Sequence, residues 1–239
     1  MNSKPNGFIL YEGASTFDGE NIVVVVTGYE TSSANPKTGD MLQTWIIKAD
    51  DLPSSAIKEG TDSSVCGSCP LRGKVCYVYM APVNNIWRQY KEGCYPKVSN
   101  SILQRIKIKR RLLRLGSYGD PCAVPIEVWQ SLIKASAGYT GYTHAWQYAD
   151  QRWKQYLMAS VESTTLMEKA HNLGWRTFRI VKSDDQLTDS EMMCKNWVDE
   201  DIKCEDCKLC NGKSNKPSIA NVVHGANWKV NNYKKLVSV

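Results

Sequence analysis

The cysteines of this chain are grouped, and their spacing limits its chemistry more than any other feature. Seven of the nine cysteines fall into two sets. The first group is Cys66, Cys69 and Cys76, and the second group is Cys194, Cys204, Cys207 and Cys210. Three thiolates at successive three-residue intervals can turn toward one centre, and a fourth cysteine from elsewhere then completes the ligands of a cubane iron–sulfur cluster. The second group therefore predicts a [4Fe–4S] site with Cys194 as its fourth ligand.

Zinc and disulfide bonds are the alternatives to an iron–sulfur cluster. Structural zinc sites more often use two Cys-x-x-Cys pairs separated by a dozen or more residues, so zinc is the second choice. The N-terminal residues have no apolar core like that of a secretory signal, and no segment approaches the roughly 20 apolar residues of a membrane span. We therefore expect a cytoplasmic protein without a membrane partner, in which clustered cysteines are more often metal ligands than disulfides.

The first group leaves its fourth ligand open. Cys94 could complete it, and without Cys94 the site would keep an open coordination position, as reactive metal sites do. Spacing does not say whether the two groups share one centre or bind two, so one or two clusters are compatible with the sequence.

Strands alternate with helices over most of the chain. Apolar, β-rich runs predict strands at residues 21–26, 42–48, 111–115, 139–142, 156–161, 175–181 and 218–223, and amphipathic segments predict helices at 82–90, 125–134 and 164–172. This alternation is typical of an α/β fold with a parallel sheet. No Gly-x-Gly-x-x-Gly follows the first strand, which favours a partial or complete (β/α) barrel over a doubly wound sheet. We expect one domain over residues 1–239, with a barrel-like core at about 21–225, cysteine-rich metal-binding loops and a cysteine-rich lobe at about 190–215.

Polar residues follow several of these strands, where parallel α/β folds place their active sites. The candidate catalytic residues are Tyr118, Asp120, His144, Glu162 and Lys182. Asp120 could bind a ligand, orient His144 or cap the turn before Pro121. His144 could act as a base or hold a structural hydrogen bond. The first group also follows a predicted strand, so we expect both cysteine groups on the same rim as these residues.

A basic segment precedes the strand at 111–115. Residues 104–114 carry six basic side chains and no acid. The candidate nucleic-acid-binding residues are Arg105, Lys107, Lys109, Arg110 and Arg111, because Lys and Arg neutralise backbone phosphates whatever the base sequence. The alternative is a solvated face that leads into a buried strand. The positive net charge of +6 permits an anionic partner, and DNA or RNA would bind weakly and without sequence preference.

Several motifs in order resemble a family of phage- and plasmid-borne proteins without an assigned activity. They are Cys-x-x-Cys-Pro followed by Cys-Tyr, Gly-Ser-Tyr-Gly-Asp-Pro, Gly-Tyr-Thr-His-x-Trp, Trp-Arg-Thr-Phe-Arg and the terminal cysteine group, over residues 42–225. That family is more distantly similar to radical S-adenosylmethionine enzymes with a barrel-like layout. The resemblance implies a mobile-element origin, a bacterial host, a partial barrel and at least one iron–sulfur cluster. Radical S-adenosylmethionine enzymes use Cys-x-x-x-Cys-x-x-Cys, whereas the first group has Cys66-x-x-Cys69-x6-Cys76, so this spacing does not match the S-adenosylmethionine motif.

Three classes of function are compatible with these features. The first is an iron–sulfur enzyme that acts on nucleic acid or nucleotides at the strand-end rim. The second is a nucleic-acid-binding protein without enzymatic activity, and the third is an inhibitor of host defence that binds a host protein and has structural metal sites.

Overall fold

One nine-stranded sheet with helices between its strands organises the chain. The computed structural model describes residues 5–32, 35–73, 75–213 and 215–237. The strands are β1 (Gly7–Ala14), β2 (Asn21–Thr27), β3 (Met41–Lys48), β4 (Leu112–Tyr118), β5 (Gly138–Thr143), β6 (Met158–Val161), β7 (Thr177–Val181), β8 (Glu191–Met193) and β9 (Ser218–Val222). The α-helices are α1 (Pro53–Glu59), α2 (Ser63–Cys66), α3 (Met80–Lys91), α4 (Asn100–Ile108), α5 (Ile126–Ala135), α6 (Thr164–Asn172), α7 (Lys195–Val198), α8 (Cys204–Cys207) and α9 (Asn227–Leu236). Short 3-10 turns lie at Pro121–Ala123, Ala145–Gln147, Gln151–Gln155 and Asp184–Gln186.

The strand order follows the chain almost without exception. The order is β1-β2-β3-β4-β5-β6-β7-β9-β8, with β1 and β8 as the outer strands. Every pair from β3 onward is parallel, so the predicted α/β fold with a mostly parallel sheet is confirmed. Because the parallel strands all end on one side, the loops that follow them form one rim, which we call the carboxyl rim.

The sheet begins with antiparallel strand pairs, which the sequence analysis did not predict. β1 pairs with β2, and β2 pairs with β3, both antiparallel. Residues 22–26 of β2 are all buried, as expected for a strand covered on both faces. β1 was missed because its apolar residues stop halfway and a polar Glu12-Gly13 follows, and β8 because it is only three residues long.

The two faces of the parallel sheet carry different chemistry. Leu113 and Leu115 of β4 belong to the main hydrophobic core, which also contains Trp129 of α5. Arg114 lies between them and, because side chains alternate along a strand, points to the opposite face. There the apolar residues are fewer, and Phe178 packs with Cys210 of the second group. The second group thus covers the face that lies opposite α5.

The basic segment forms a helix rather than the approach to a long strand. α4 begins at Asn100, where the Ser99 hydroxyl accepts a hydrogen bond from the Ile102 N–H, and it ends at Ile108. Lys109 and Arg110 form the turn that follows, and Arg110 has a positive φ of 51°. Residues 105–108 are therefore helical, and the strand begins only at Leu112.

No helix in the described ranges is long and apolar enough to cross a membrane.

Candidate functional site

Three of the predicted residues meet at the carboxyl rim. Asp120 follows β4, His144 follows β5 and Glu162 follows β6, so each lies at the end of a neighbouring parallel strand. Hydrogen bonds join Asp120 to the backbone of His144, and the His144 ring to Glu162. Lys182 follows β7 at the same rim, where its N–H donates to the Gln186 side chain at 2.9 Å.

Asp120 acts as a hub for the backbone of the rim. Its carboxylate accepts hydrogen bonds from the Cys122 N–H at 3.0 Å, from the Thr143 hydroxyl at 2.9 Å and from the His144 N–H at 2.9 Å. Its own N–H donates to the Val65 carbonyl at 2.6 Å. Burial raises the pKa of Asp120, although these donors act in the opposite sense. Of the roles that the sequence left open, the geometry supports capping the turn and positioning the His144 backbone.

The end of β4 and the turn before Asp120 each require a glycine. Gly116 and Gly119 have φ values of 71° and 77°, which side chains other than glycine rarely adopt. A Cβ on Gly119 would lie 2.6 Å from the Ile46 carbonyl oxygen. The close approach to β3 fixes the position from which Tyr118 and Asp120 project.

His144 links a carboxylate to a thiol of the first group. The Nε2 atom lies 2.7 Å from Glu162 Oε1, and Cys69 is close enough to influence the pKa of the ring. Burial disfavours the imidazolium, but Cys69 and Glu162 outweigh it, so the pKa of His144 is raised well above its ordinary value. Because Nε2 is committed to Glu162, Nδ1 is the nitrogen that remains for another partner.

The first group gathers at the same rim. Cys66 ends α2, and the Cys69 N–H donates to the Cys66 carbonyl at 3.2 Å, so the Cys-x-x-Cys segment is a tight turn. The charges that raise the pKa of the Cys66 thiol, after burial, come from Asp62, Cys69, Cys76 and Asp120. The three cysteines are therefore close enough for their charges to act on one another.

Two further elements complete the surroundings of the first group. Tyr118 is 4% exposed, and its hydroxyl is buried without a hydrogen-bond partner in the described structure. Burial and the nearby Cys66 raise the pKa of Tyr118 well above its ordinary value. From the other side, Lys229 of α9 donates to the Cys76 carbonyl.

The second group surrounds one cavity on the opposite face from α5. All four cysteines line it, together with Lys37, Tyr142 and Phe178. Cys194 follows β8, while the Cys210 carbonyl accepts a hydrogen bond from the Gly141 N–H at 2.8 Å. Gly141 lies inside β5, one residue before the pairing of β5 with β6 begins at Tyr142. Only Cys194 therefore lies at a strand end, and the expectation that both whole groups share the carboxyl rim is wrong for Cys210.

A buried arginine lies beside this cavity. Arg114 is 4% exposed, its Cζ lies 4.1 Å from the centre of the Tyr142 ring, and its Nη1 lies 3.5 Å from the Thr140 hydroxyl. Within the described ranges, no carboxylate lies at salt-bridge distance from Arg114, whereas Arg179 pairs with Glu191. Burial raises the pKa of Cys204, and Arg114 acts in the opposite sense. A buried cation needs a compensating charge, and the thiolates of the second group would supply it.

The thiols are not drawn together around a single point. In the ranges that the structure describes, no three Cys, His, Asp or Glu side chains are arranged to hold one metal ion. A zinc ion would need its sulfurs about 2.3 Å away. A cubane cluster keeps its four cysteines farther apart, because the irons and sulfides lie between them. Support for a metal therefore comes from the grouping of the thiols and from the charges around them.

The basic segment lies at the other end of β4. Arg105 forms an ion pair with Glu30, and Arg111 lies 2.7 Å from Asp40. The side chains of Lys107, Lys109 and Arg110 are exposed. Two of the five predicted nucleic-acid-binding residues are thus engaged with carboxylates, and three remain at the surface.

The structure also narrows the choice of residue for the fourth ligand of the first group. Cys94 is exposed, and its thiol lies 3.9 Å from a Glu92 carboxylate oxygen, in the turn after α3. His144 is the ring that neighbours Cys69. The sequence predicts His144 and the first group on one rim but no contact between them, and it does not distinguish Arg114 from the rest of the basic segment.

No family model matches the sequence, and no similar curated protein or solved structure was found.

Proposed function

We propose that the chain is an iron–sulfur protein whose second group holds a [4Fe–4S] cluster. The observation that carries the proposal is the convergence of four cysteines on one cavity beside a buried Arg114 that has no carboxylate partner in the described ranges. A cluster held by four thiolates is anionic, so it would offset the cost of burying that guanidinium. When bound, such a cluster supplies one-electron transfer or a Lewis-acidic iron. Zinc held by the same four cysteines is the alternative.

Anaerobic purification tests the proposal directly. We expect a brown protein with iron and acid-labile sulfide in equal amounts, about four of each per cluster. A colourless protein with zinc and no sulfide would replace the cluster with a structural zinc site. A protein with neither iron nor zinc after expression with both metals supplied would contradict the proposal altogether.

The proposal extends to an enzyme that acts at the carboxyl rim. Parallel α/β sheets place their active sites there, and the first group lies there with Tyr118, Glu162 and Lys182. The sequential order of the parallel strands supports curvature into a partial barrel. The motif order that resembles phage- and plasmid-borne proteins supports a mobile-element origin and a bacterial host.

Nucleic acid is the proposed substrate class. Lys107, Lys109 and Arg110 precede β4, whereas the rim follows it, and a seven-residue strand spans about 23 Å. A single nucleotide cannot contact both ends, but an extended polynucleotide can. The exposed basic residues therefore favour DNA or RNA over a free nucleotide, and they equally support the second candidate, a nucleic-acid-binding protein without enzymatic activity.

Charge reversal of the basic turn tests the nucleic-acid proposal. We expect Lys109→Glu/Arg110→Glu to weaken binding of labelled DNA and RNA at low salt, because repulsion replaces phosphate contacts. With about three phosphates neutralised, log K for the wild type should fall with log salt at a slope of about −2 to −3. Fluorescence anisotropy at several salt concentrations measures both quantities.

A matched control separates this turn from net charge. Lys58→Glu/Lys134→Glu makes the same change in charge at exposed positions on α1 and α5. It should leave most of the binding intact. Equal losses in both variants, or no binding by the wild type at low salt, would contradict a role for the basic turn.

A further inference from the structure

We propose that His144 is the fourth ligand of a metal site formed by the first group, and that this site takes a thiolate-preferring divalent ion such as Zn²⁺. The inference rests on the proposed metal-binding function of the cysteines, and it concerns a different site from the cavity of the second group. Three cysteines and one histidine are an established ligand set for structural zinc.

The placement of the donors supports this ligand set. Cys66 ends α2, Cys69 lies in the turn that follows and His144 comes directly after β5, so the cysteine loop and the end of β5 both contribute donors. Asp120 ties the two parts together, because its N–H donates to the Val65 carbonyl next to Cys66 at 2.6 Å and its carboxylate accepts from the His144 N–H at 2.9 Å. In agreement with this placement, the charge of Cys69 is among the causes that raise the pKa of His144. Cys94, the other candidate for the fourth position, is exposed and lies against Glu92.

Glu162 gives the histidine the outer partner that metal-bound histidines have. Imidazole ligands almost always donate their second ring N–H to a carboxylate, carbonyl or water, which fixes the tautomer and the ring orientation. Glu162 Oε1 lies 2.7 Å from Nε2, and both side chains are mostly buried. Nδ1 is then the ring nitrogen left for a metal, which would displace the proton that Nδ1 carries in the imidazolium.

Tyr118 supplies a second outer partner. Its hydroxyl is buried and unpartnered within the described structure, and Cys66 and Cys76 are among the charges around it. An unpaired buried hydroxyl costs about 1–3 kcal/mol. A metal-bound thiolate accepts hydrogen bonds, so Tyr118 would find its partner in the sulfur of a ligated cysteine.

Binding requires the loop to tighten. No three of these side chains hold a common point among the described residues, so the thiols must rotate toward Nδ1. Ligand binding to a metal is commonly coupled to such local ordering. The competing assignment is a reactive thiol, in which His144 activates Cys69 alone and Cys66 and Cys76 are bystanders.

Alkylation read at each cysteine distinguishes the two assignments. The full-length chain, purified under reducing conditions, is titrated with Zn²⁺ alone, pulsed with iodoacetamide and analysed by peptide mass spectrometry. We expect Zn²⁺ to protect Cys66, Cys69 and Cys76 together, with exposed Cys94 as the internal reference. His144→Ala should abolish this joint protection, and Glu162→Gln should raise the Zn²⁺ concentration for half-protection about 10–100-fold.

His144→Cys is the decisive variant, because a fourth thiolate still makes a zinc site but cannot act as an imidazole base. We expect it to retain protection, while His171→Ala, a histidine on α6, behaves like the wild type. Full protection in His144→Ala would overturn the inference. So would a hyper-reactive Cys69 that Zn²⁺ does not protect.

The two proposals fail in different ways. Absence of iron and sulfide after anaerobic purification would contradict the proposed cluster and leave the His144 site standing, because Zn²⁺ protection of the first group is measured separately. Because His144→Cys and Glu162→Gln keep a polar or ligating side chain, a folding failure of His144→Ala leaves both of them as tests.

Discussion

Replacing Cys207 by serine should remove the metal of the second group and lower the soluble yield together. Cys207 ends α8 and lines the cavity with the other three cysteines of its group. Serine is a poor ligand for iron or zinc, and metal ligation contributes on the order of 10 kcal/mol to the folding of small cysteine-rich sites. Iron, sulfide and zinc per chain, measured with the soluble fraction, report both effects.

Cys94→Ser is the matched control for this prediction. Cys94 is exposed and belongs to neither group, so the same chemical change there should leave metal content and yield unaltered. An unchanged metal stoichiometry in Cys207→Ser would show that the second group does not bind the metal. A yield that falls without a change in metal per soluble chain would assign Cys207 a packing role only.

Replacing Arg179 by methionine should destabilise the fold by about 3–5 kcal/mol, because it leaves a buried carboxylate without its partner. The Arg179 guanidinium lies 2.8 Å and 2.6 Å from the two carboxylate oxygens of Glu191. Their side chains are 5% and 0% exposed. This pair joins β7 to β8 across the intervening β9. Urea unfolding followed by circular dichroism measures the loss.

The double variant Arg179→Met/Glu191→Met separates the pair from the packing. Removing both charges should recover much of the lost stability, because no unpaired carboxylate then remains buried. A double variant that is as unstable as Arg179→Met would show that the loss comes from packing and not from the orphaned charge.

The same pair makes a pH-dependent contribution to stability. Burial acts to raise the pKa of Glu191, but its hydrogen bonds and ion pair with Arg179 prevail and lower it. The contribution is therefore complete above the unfolded value of about 4.3 and is lost as pH falls through the lower folded value. In Arg179→Met this acid-side loss should disappear.

The positions of the longer buried strands could be predicted because their apolar runs are long and continuous. The run of Ile and Val in β2 and the amphipathic period of α5 place these elements correctly. β1 and β8 could not be found in the same way, because half-exposed and very short strands leave little pattern. The α4 helix was not predicted, because the basic residues of this segment were interpreted as a binding surface and not as part of a helix.

The location of the candidate site could be predicted from the sequence, but the contacts between its side chains could not. Strand ends placed Asp120, His144 and Glu162 on one rim, and the structure joins them by hydrogen bonds. Which side chains touch depends on loop geometry, which spacing alone does not encode. The sequence does not show that Arg114 is buried. Strand periodicity assigns its two neighbours to the core and places Arg114 on the opposite face, where a charged side chain is normally expected to face solvent.

The contact between Lys229 and the Cys76 carbonyl can form only late in the synthesis of the chain. The two residues are 153 positions apart in the chain. At translation rates of about 5–20 residues per second, Cys76 leaves the ribosome roughly 8–30 s before Lys229. The first group is thus outside the ribosome, and open to metal or to oxidation, well before Lys229 can contact the Cys76 carbonyl.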